Sequence, residues 1–260
     1  HIVAELIASE IPVSALVRNS SNCEILKKIK CHNIIRSDRY LDPALLRKIS
    51  ISKPEHFIHC AYDSSRDSIN IVNLVEAVQL AKSLNCKSFI SIGTYQEYGK
   101  LFNNIDENVI CEPLSNFGKS KFALYLLANR LCYEEGLNHC HVRLSIPYAV
   151  RDNENFYFTK IIKDLSKGER PKINNYLNSN DYIHVSDLSR GILALMNNNA
   201  SGIFNLGLGE TVQHKTILNM IYEEFKKKLN IKDIDNITNK KSISFSLNTK
   251  KIYKFTNWKP

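Results

Sequence analysis

Two short segments hold the side chains best suited to chemistry. The first, Ser91-Ile92-Gly93-Thr94-Tyr95-Gln96-Glu97-Tyr98-Gly99, closes an apolar strand pattern. In open parallel sheets, ligands bind just beyond such carboxyl ends. The segment puts there a hydroxyl (Thr94), two phenols (Tyr95 and Tyr98) and a carboxylate (Glu97). The second, Phe117-Gly118-Lys119-Ser120-Lys121, opens a helix, and residues 117 and 121, four apart, share one helical face. A third candidate is Arg18, which follows the strand-like run Val13–Val17 and precedes Asn19, Ser20 and Ser21. A guanidinium among small polar neighbours suits bidentate, charge-assisted bonding of a phosphate.

These residues need a scaffold, and the chain alternates between helical and strand-like patterns. Helical spacing covers Ile2–Ser9, Ser21–Ile29, Asp42–Ile49, Ile69–Leu84 and Phe117–Glu135. Strand-like runs fall at Val13–Val17, His32–Ile35, His56–Cys60, Lys87–Ile92 and Cys140–Ser145. Such alternation predicts an α/β fold with a doubly wound parallel sheet covered by helices on both faces. After residue 150 the rhythm changes. Helices are expected at Phe156–Lys167, Val185–Asn197 and His214–Leu229, strands at Asp181–His184 and Ile203–Leu206, and a polar, short-elemented end at Ile243–Pro260. We read a nucleotide-binding domain over 1–150 and a smaller C-terminal substrate lobe over 151–260, interleaved with the sheet at about 181–200.

Composition narrows the class. The 260 residues are 43% hydrophobic, enough for one substantial core with a small lobe. No run of 18 apolar residues suggests a membrane span, and the opening His1–Glu10 reads as amphipathic helix, not as a signal peptide. The seven cysteines form no Cys-x-x-Cys pair, which points to reduced thiols in the cytoplasm. Cys132, His139, Cys140 and His141 are the only clustered metal candidates; ligands adjacent at a strand start make poor zinc geometry, so no metal is expected. The net charge of +9 is spread along the chain. Its one tight run, Lys226–Lys228, sits beside Glu223 and Glu224 on a helix, which argues against nucleic-acid binding and leaves a mild field suited to a phosphate-bearing substrate.

Thr94 stands 23 positions before Phe117, with Lys121 one turn further on. That layout resembles the Ser/Thr…Tyr-x-x-x-Lys apparatus of the extended short-chain dehydrogenase/reductase family, in its nucleotide-sugar epimerase/dehydratase branch. Further pieces agree and fall in family order: Ile58-His59-Cys60-Ala61, Asn73-Leu74-Val75-Glu76-Ala77, Arg143-Leu144-Ser145-Ile146-Pro147-Tyr148, Asp181 to Leu188, Phe204-Asn205-Leu206-Gly207 and the terminal Trp258-Lys259-Pro260. The resemblance implies a Rossmann-type fold. It also implies a tyrosinate that moves the proton of a sugar hydroxyl while hydride moves to or from nicotinamide C4. A lysine and the cofactor ring depress the tyrosine pKa from its ordinary value of about 10. By position Lys121 is that lysine. Thr94 is the hydroxyl that holds the sugar oxygen.

Two features depart from the pattern. The first glycine is Gly93, whereas a dinucleotide fold places glycines between its first strand and first helix, so roughly 20 further residues upstream are expected. And Phe117 stands where the family has tyrosine. Three explanations stay open: a deliberate tyrosine-to-phenylalanine change that traps a complex, a natural variant with a displaced acid such as Tyr95 or Tyr98, or a protein that keeps binding and has lost catalysis.

The resemblance also implies binding residues. Cofactor contacts fall on Arg18, Asn19, Asp38, His59, Cys60, Ala61, Lys121, Ser145, Ile146 and Pro147. Arg18 occupies the place where NAD enzymes carry an acid for the ribose 2′-hydroxyl, which favours NADP(H), with NAD(H) as the alternative. Asp38 could equally be a turn residue, with Asp42 capping the next helix. Substrate contacts fall on Thr94, Tyr95, Glu97, Tyr148, Asn155, Phe156 and Asn180, with Lys172–Tyr176 nearby. His184 reads as a packed strand residue. The implied activity is NADPH-dependent reduction of a nucleoside-diphospho-4-keto-6-deoxysugar for cell-surface polysaccharide. The rivals are an NAD-dependent 4-epimerase and a silent nucleotide-binding homologue. The long helices Ile69–Leu84 and Phe117–Glu135 imply a homodimer by the same resemblance.

Overall fold

The computed structural model describes residues 1–42, 47, 49, 52–149, 156–227, 229, 234 and 242–260. The helix expected over Asp42–Ile49 lies mostly outside them, as does Asn155.

The chain opens on helix α1 (Ile2–Ala8) and strand β1 (Ser14–Val17); α2 (Glu24–Lys28) then leads to β2 (Asn33–Arg36). β1 and β2 pair in parallel from Ser14↔Asn33 to Val17↔Arg36. A second parallel sheet contains β3 (His56–His59), β4 (Ser88–Thr94), β5 (Asn138–Leu144) and β9 (Gly202–Leu206), hydrogen-bonded in that order. Among the described residues no ladder bond joins the two pieces. They share one core instead: Leu16 and Ile35 pack in the same cluster as Phe57 and Phe89.

Both faces of the larger sheet are covered, as parallel strands require. Helices α3 (Asp67–Ser83) and α4 (Asn116–Glu135) bury Leu74, Leu80, Ala81, Ala128 and Cys132 on one side. On the other, α1 and α6 (Val185–Asn197) with α8 (Lys250–Thr256) bury Leu6, Ile192, Leu195, Ile252 and Trp258. Each such fully buried aliphatic side chain contributes about 1.5–3 kcal/mol. Cys132 and Cys140 lie in these two opposite layers, so they do not converge with His139 and His141 on one point.

The remaining segments build a smaller layer. β6 (Ile146–Tyr148) pairs in parallel with β8 (Tyr182–His184). β7 (Ser179–Asn180) lies between β10 (Val212–Gln213) and β11 (Ser244–Phe245). Helices α5 (Tyr157–Ser166) and α7 (His214–Glu224) close over Phe158, Ile161, Tyr182, Leu218 and Tyr222. Asp181, fully buried, ties these parts together: its carboxylate accepts the backbone N–H groups of Leu208 (2.7 Å), Gly209 (3.1 Å) and Leu247 (3.0 Å). The chain end expected to be polar and short-elemented does form short elements, but Ile252 on α8 and Leu247 and Trp258 beside these elements are buried core.

Candidate active site

The site begins where β4 stops. Thr94 N-caps a single 3₁₀ turn, Tyr95–Glu97; its N–H donates to Glu97 Oε1 (2.9 Å) and its side chain accepts from Gln96 N (3.4 Å), a reciprocal capping box. This turn anchors α4. Ser115 N-caps the helix by accepting from Gly118 N (3.0 Å), and its hydroxyl donates to Gln96 Oε1 (2.6 Å). Gly118 rests so near the Gln96 carbonyl that a Cβ would collide with it. The docked helix start delivers Lys121, whose ammonium donates to the Ile92 carbonyl (3.0 Å), two residues before Thr94. Burial lowers the Lys121 pKa, partly offset by the charges of Glu97 and Cys60. The expected pairing of Thr94 with Lys121 is therefore built from two elements locked together at a strand end.

Phe117 lies at the helix start, 38% exposed. Its ring meets Tyr62 edge-on, with centroids 5.3 Å apart. Lys121 Nζ stands 4.3 Å from the Tyr62 centroid and 5.9 Å from that of Phe117. Tyr62 was no candidate in the sequence; it belongs to the loop after β3, and only folding brings it to α4.

Glu97 takes a different place from the one expected. It is completely buried, and its carboxylate accepts from His141 Nε2 (3.0 Å) and Arg143 Nε (2.9 Å) besides Thr94 N. It supports the turn from behind and cannot touch a substrate. Burial opposes its charge, yet His141 and Arg143 hold its pKa below the usual carboxylate value. Gly93 leaves room for this pair, because a Cβ there would strike both Glu97 and the His141 ring. Ser91 Oγ extends the network to His141 Nδ1 (2.7 Å) and His139 Nε2 (2.9 Å).

Tyr98 is excluded as a displaced acid. It is buried, its hydroxyl donates to Asn205 Oδ1 (2.7 Å), and burial raises its pKa. Tyr95 stacks on Phe245 with centroids 4.3 Å apart, and burial raises its pKa too. Asn180 is engaged from its amide with His214 Nε2 (3.0 Å) and with the Tyr182 hydroxyl (3.4 Å). Tyr148 is exposed, with its ring against His184, while Phe156 is half-buried in the small layer. His184 N-caps α6 through Ser186 N, a structural role.

Of the residues expected to touch a cofactor, Arg18, Asn19, Asp38, His59, Cys60 and Ala61 lie at the carboxyl ends of β1, β2 and β3, and Ser145, Ile146 and Pro147 follow β5. Asn19 and Asp38 bond each other twice, from Asn19 N (3.0 Å) and Nδ2 (2.7 Å) to the carboxylate. Arg18 is exposed and reaches Asp63 at 3.9 Å. Arg36, unnoticed in the sequence, holds the 18–21 turn by donating to the carbonyls of Arg18 (3.4 Å), Asn19 and Ser21 (3.0 Å). His59 is nine-tenths buried, its Nε2 has no partner, and burial with Lys121 nearby lowers its pKa to about 4. With Ala61, Ser91 and Lys121 it lines a cleft whose enclosed part is small, about 20 Å³. Cys60, Ile146 and Pro147 reach the surface at least in part, but Ser145 is buried. An unpartnered imidazole, an ammonium and the exposed Arg18 guanidinium at neighbouring strand ends fit a phosphate-bearing dinucleotide.

Residues 1–207 match the model of the NAD dependent epimerase/dehydratase family. The chain belongs to that family. A curated epimerase/dehydratase relative, the dTDP-glucose 4,6-dehydratase of Streptomyces griseus, is 30% identical over 139 residues, 52% of this chain. That match spans 42% of the relative's own length. The structure of dTDP-glucose 4,6-dehydratase from Bacillus anthracis in complex with NAD superposes with a TM-score of 0.85 at 18% identity, over 100% of this chain and 86% of that one. UDP-glucose 4-epimerase from Thermotoga maritima, solved with UDP-glucose, gives 0.80 at 18% identity, over 100% and 89%. These superpositions establish the Rossmann-type fold of this epimerase/dehydratase chain. No described helix is long and apolar enough to cross a membrane.

Proposed function

We propose that this chain, in its full-length gene product, reduces the 4-keto group of a nucleoside-diphospho-6-deoxysugar with NADPH. Residues 1–150 are the cofactor side and 151–260 the substrate lobe, except that α6, β9 and α8 interleave with the larger sheet. One observation carries the reading: a half-buried ammonium, Lys121, is pinned to the Ile92 carbonyl, two residues before Thr94, by a helix that cannot shift without breaking the Ser115–Gln96 contact. When bound, the nicotinamide supplies hydride exchange at its C4. Thr94 donates to the substrate oxygen and fixes its carbon in place. Lys121 favours negative charge on that oxygen. Arg18, exposed at a strand end on a turn that Arg36 holds, suits a 2′-phosphate better than a bare ribose. The seven thiols are free, which suits a reducing cytoplasm.

A second reading is a nucleotide-sugar 4-epimerase with retained NAD, since the chain also superposes on an epimerase solved with UDP-glucose. NADPH oxidation across a panel of nucleoside-diphospho-4-keto-6-deoxysugars separates the two. The reductase consumes NADPH stoichiometrically. Isomerisation without consumption, by a protein that purifies with its cofactor, replaces that reading with the epimerase. We also infer a homodimer through α3 and α4, on which Ile71, Val72, Leu126 and Tyr133 are exposed. A monomeric mass in solution removes it.

A further inference from the structure

Phe117 deprives the site of the phenol its family uses. Among the described residues, the phenol whose ring meets both Phe117 and Lys121 is that of Tyr62. Its ring packs edge-on against Phe117, and Lys121 Nζ lies 4.3 Å from its centroid. Tyr98 and Tyr95 are committed elsewhere, to Asn205 and to the Phe245 ring. The Tyr62 hydroxyl donates to Ser120 Oγ (3.2 Å), and Ser120 donates to Asp67 Oδ1 (2.6 Å) at the exposed start of α3. Phe117, Ser120 and Lys121 occupy one helical turn, so this hydroxyl sits over the turn that carries the family's catalytic ring.

We propose that Tyr62 is the proton-carrying phenol of this site, recharged through Ser120 and Asp67. The inference rests on the reductase reading above. As the carbonyl carbon takes hydride, the carbon–oxygen π pair moves onto oxygen. The Tyr62 O–H bond breaks and its proton goes to that oxygen. The Ser120 hydroxyl then turns its hydrogen from Asp67 to the phenolate, transfers that proton and takes another from hydronium at the exposed Asp67 carboxylate, so that one solvent proton is consumed with each hydride. The Lys121 ammonium over the ring stabilises the phenolate between these steps. Phe117 is an apolar wall that orients Tyr62.

The test uses the full-length gene product, with Tyr62→Phe, Phe117→Tyr and both together, assayed for NADPH oxidation. A second readout needs no turnover: ¹⁹F spectra of 3-fluorotyrosine-labelled protein, with the Tyr62 resonance assigned by its loss in Tyr62→Phe. Tyr62→Phe should lower kcat by ~10²–10⁴-fold with KM little changed, and adding Phe117→Tyr should recover much of it. The Tyr62 resonance should move in Ser120→Ala and on addition of NADPH. Full activity in Tyr62→Phe overturns the proposal and leaves the reductase reading standing. A resonance that NADPH does not move overturns the placement of Tyr62, whatever the activity. No turnover by any form, with the resonance still moved by NADPH, removes the reductase reading and supports Tyr62 at the cofactor face.

Discussion

Glu97 shows how a residue can belong to a site without touching a ligand. By position it reads as a substrate contact, yet it is 0% exposed and bonded to His141, Arg143 and the Thr94 backbone. Arg143 depends on it, because the Arg143 guanidinium is itself buried, with Nη1 unpartnered. Glu97→Gln removes the charge that balances it and should cost about 3–5 kcal/mol of stability, read by urea unfolding. An unchanged midpoint would mean the pair contributes no net stability. At the cofactor end, Arg36→Ala should raise KM for NADPH more than for NADH, since the residue shapes the 18–21 turn that presents Arg18. Equal effects on both would remove the 2′-phosphate assignment. Thr94 and Lys121 could be singled out in the sequence because the segments that hold them resemble the family's, and the structure brings both segments to the end of β4. Tyr62 and Arg36 could not: each gains meaning from a partner far along the chain, Ser120 for one and the Asn19 carbonyl for the other.

At the scale of elements, the start of α4 carries the geometry. A methyl at Gly118 would strike the Gln96 carbonyl, whereas one at Gly136, the left-handed C-cap of the same helix, would meet nothing within 4 Å. Gly118→Ala should therefore shift the helix start and depress kcat, while Gly136→Ala should cost only backbone strain, about 1–2 kcal/mol, with activity intact. Thermal unfolding and turnover of the two variants separate these effects, and equal activity in both would show that the docking of α4 does not set the site. The long helices and β4, β5 and β9 were readable from periodicity, with ends moved by a few residues at most. None of the two- and three-residue strands β6, β7, β10 and β11 was readable, since so few residues hold no period. The expected helix His214–Leu229 ends instead at Glu224, after which Lys226 adopts a positive φ.

For the whole molecule, buried neutral histidines set an acid limit. Burial lowers His59 to about 4 and, with His141 nearby, His139 to about 3, from an ordinary 6.5. In the unfolded chain both protonate near 6.5, so between pH 6.5 and 4 the unfolded state binds more protons. Stability then falls as pH falls, by on the order of 1.4 kcal/mol per pH unit for each histidine still neutral. Glu97, held below its usual value, adds to the loss at lower pH. Urea midpoints at pH 7 and pH 5 test this, and a midpoint that is flat or rises on acidification contradicts it.

Hydride delivery at the Lys121–Thr94 strand end is the central claim, and isotope transfer tests it most directly. The full-length protein would be incubated with NADPH deuterated at C4 and a nucleoside-diphospho-4-keto-6-deoxysugar, and the product sugar analysed by mass spectrometry and NMR. The account predicts one deuterium at sugar C4, lost when Lys121→Met abolishes turnover. A product without deuterium, or labelling unchanged in Lys121→Met, would contradict it.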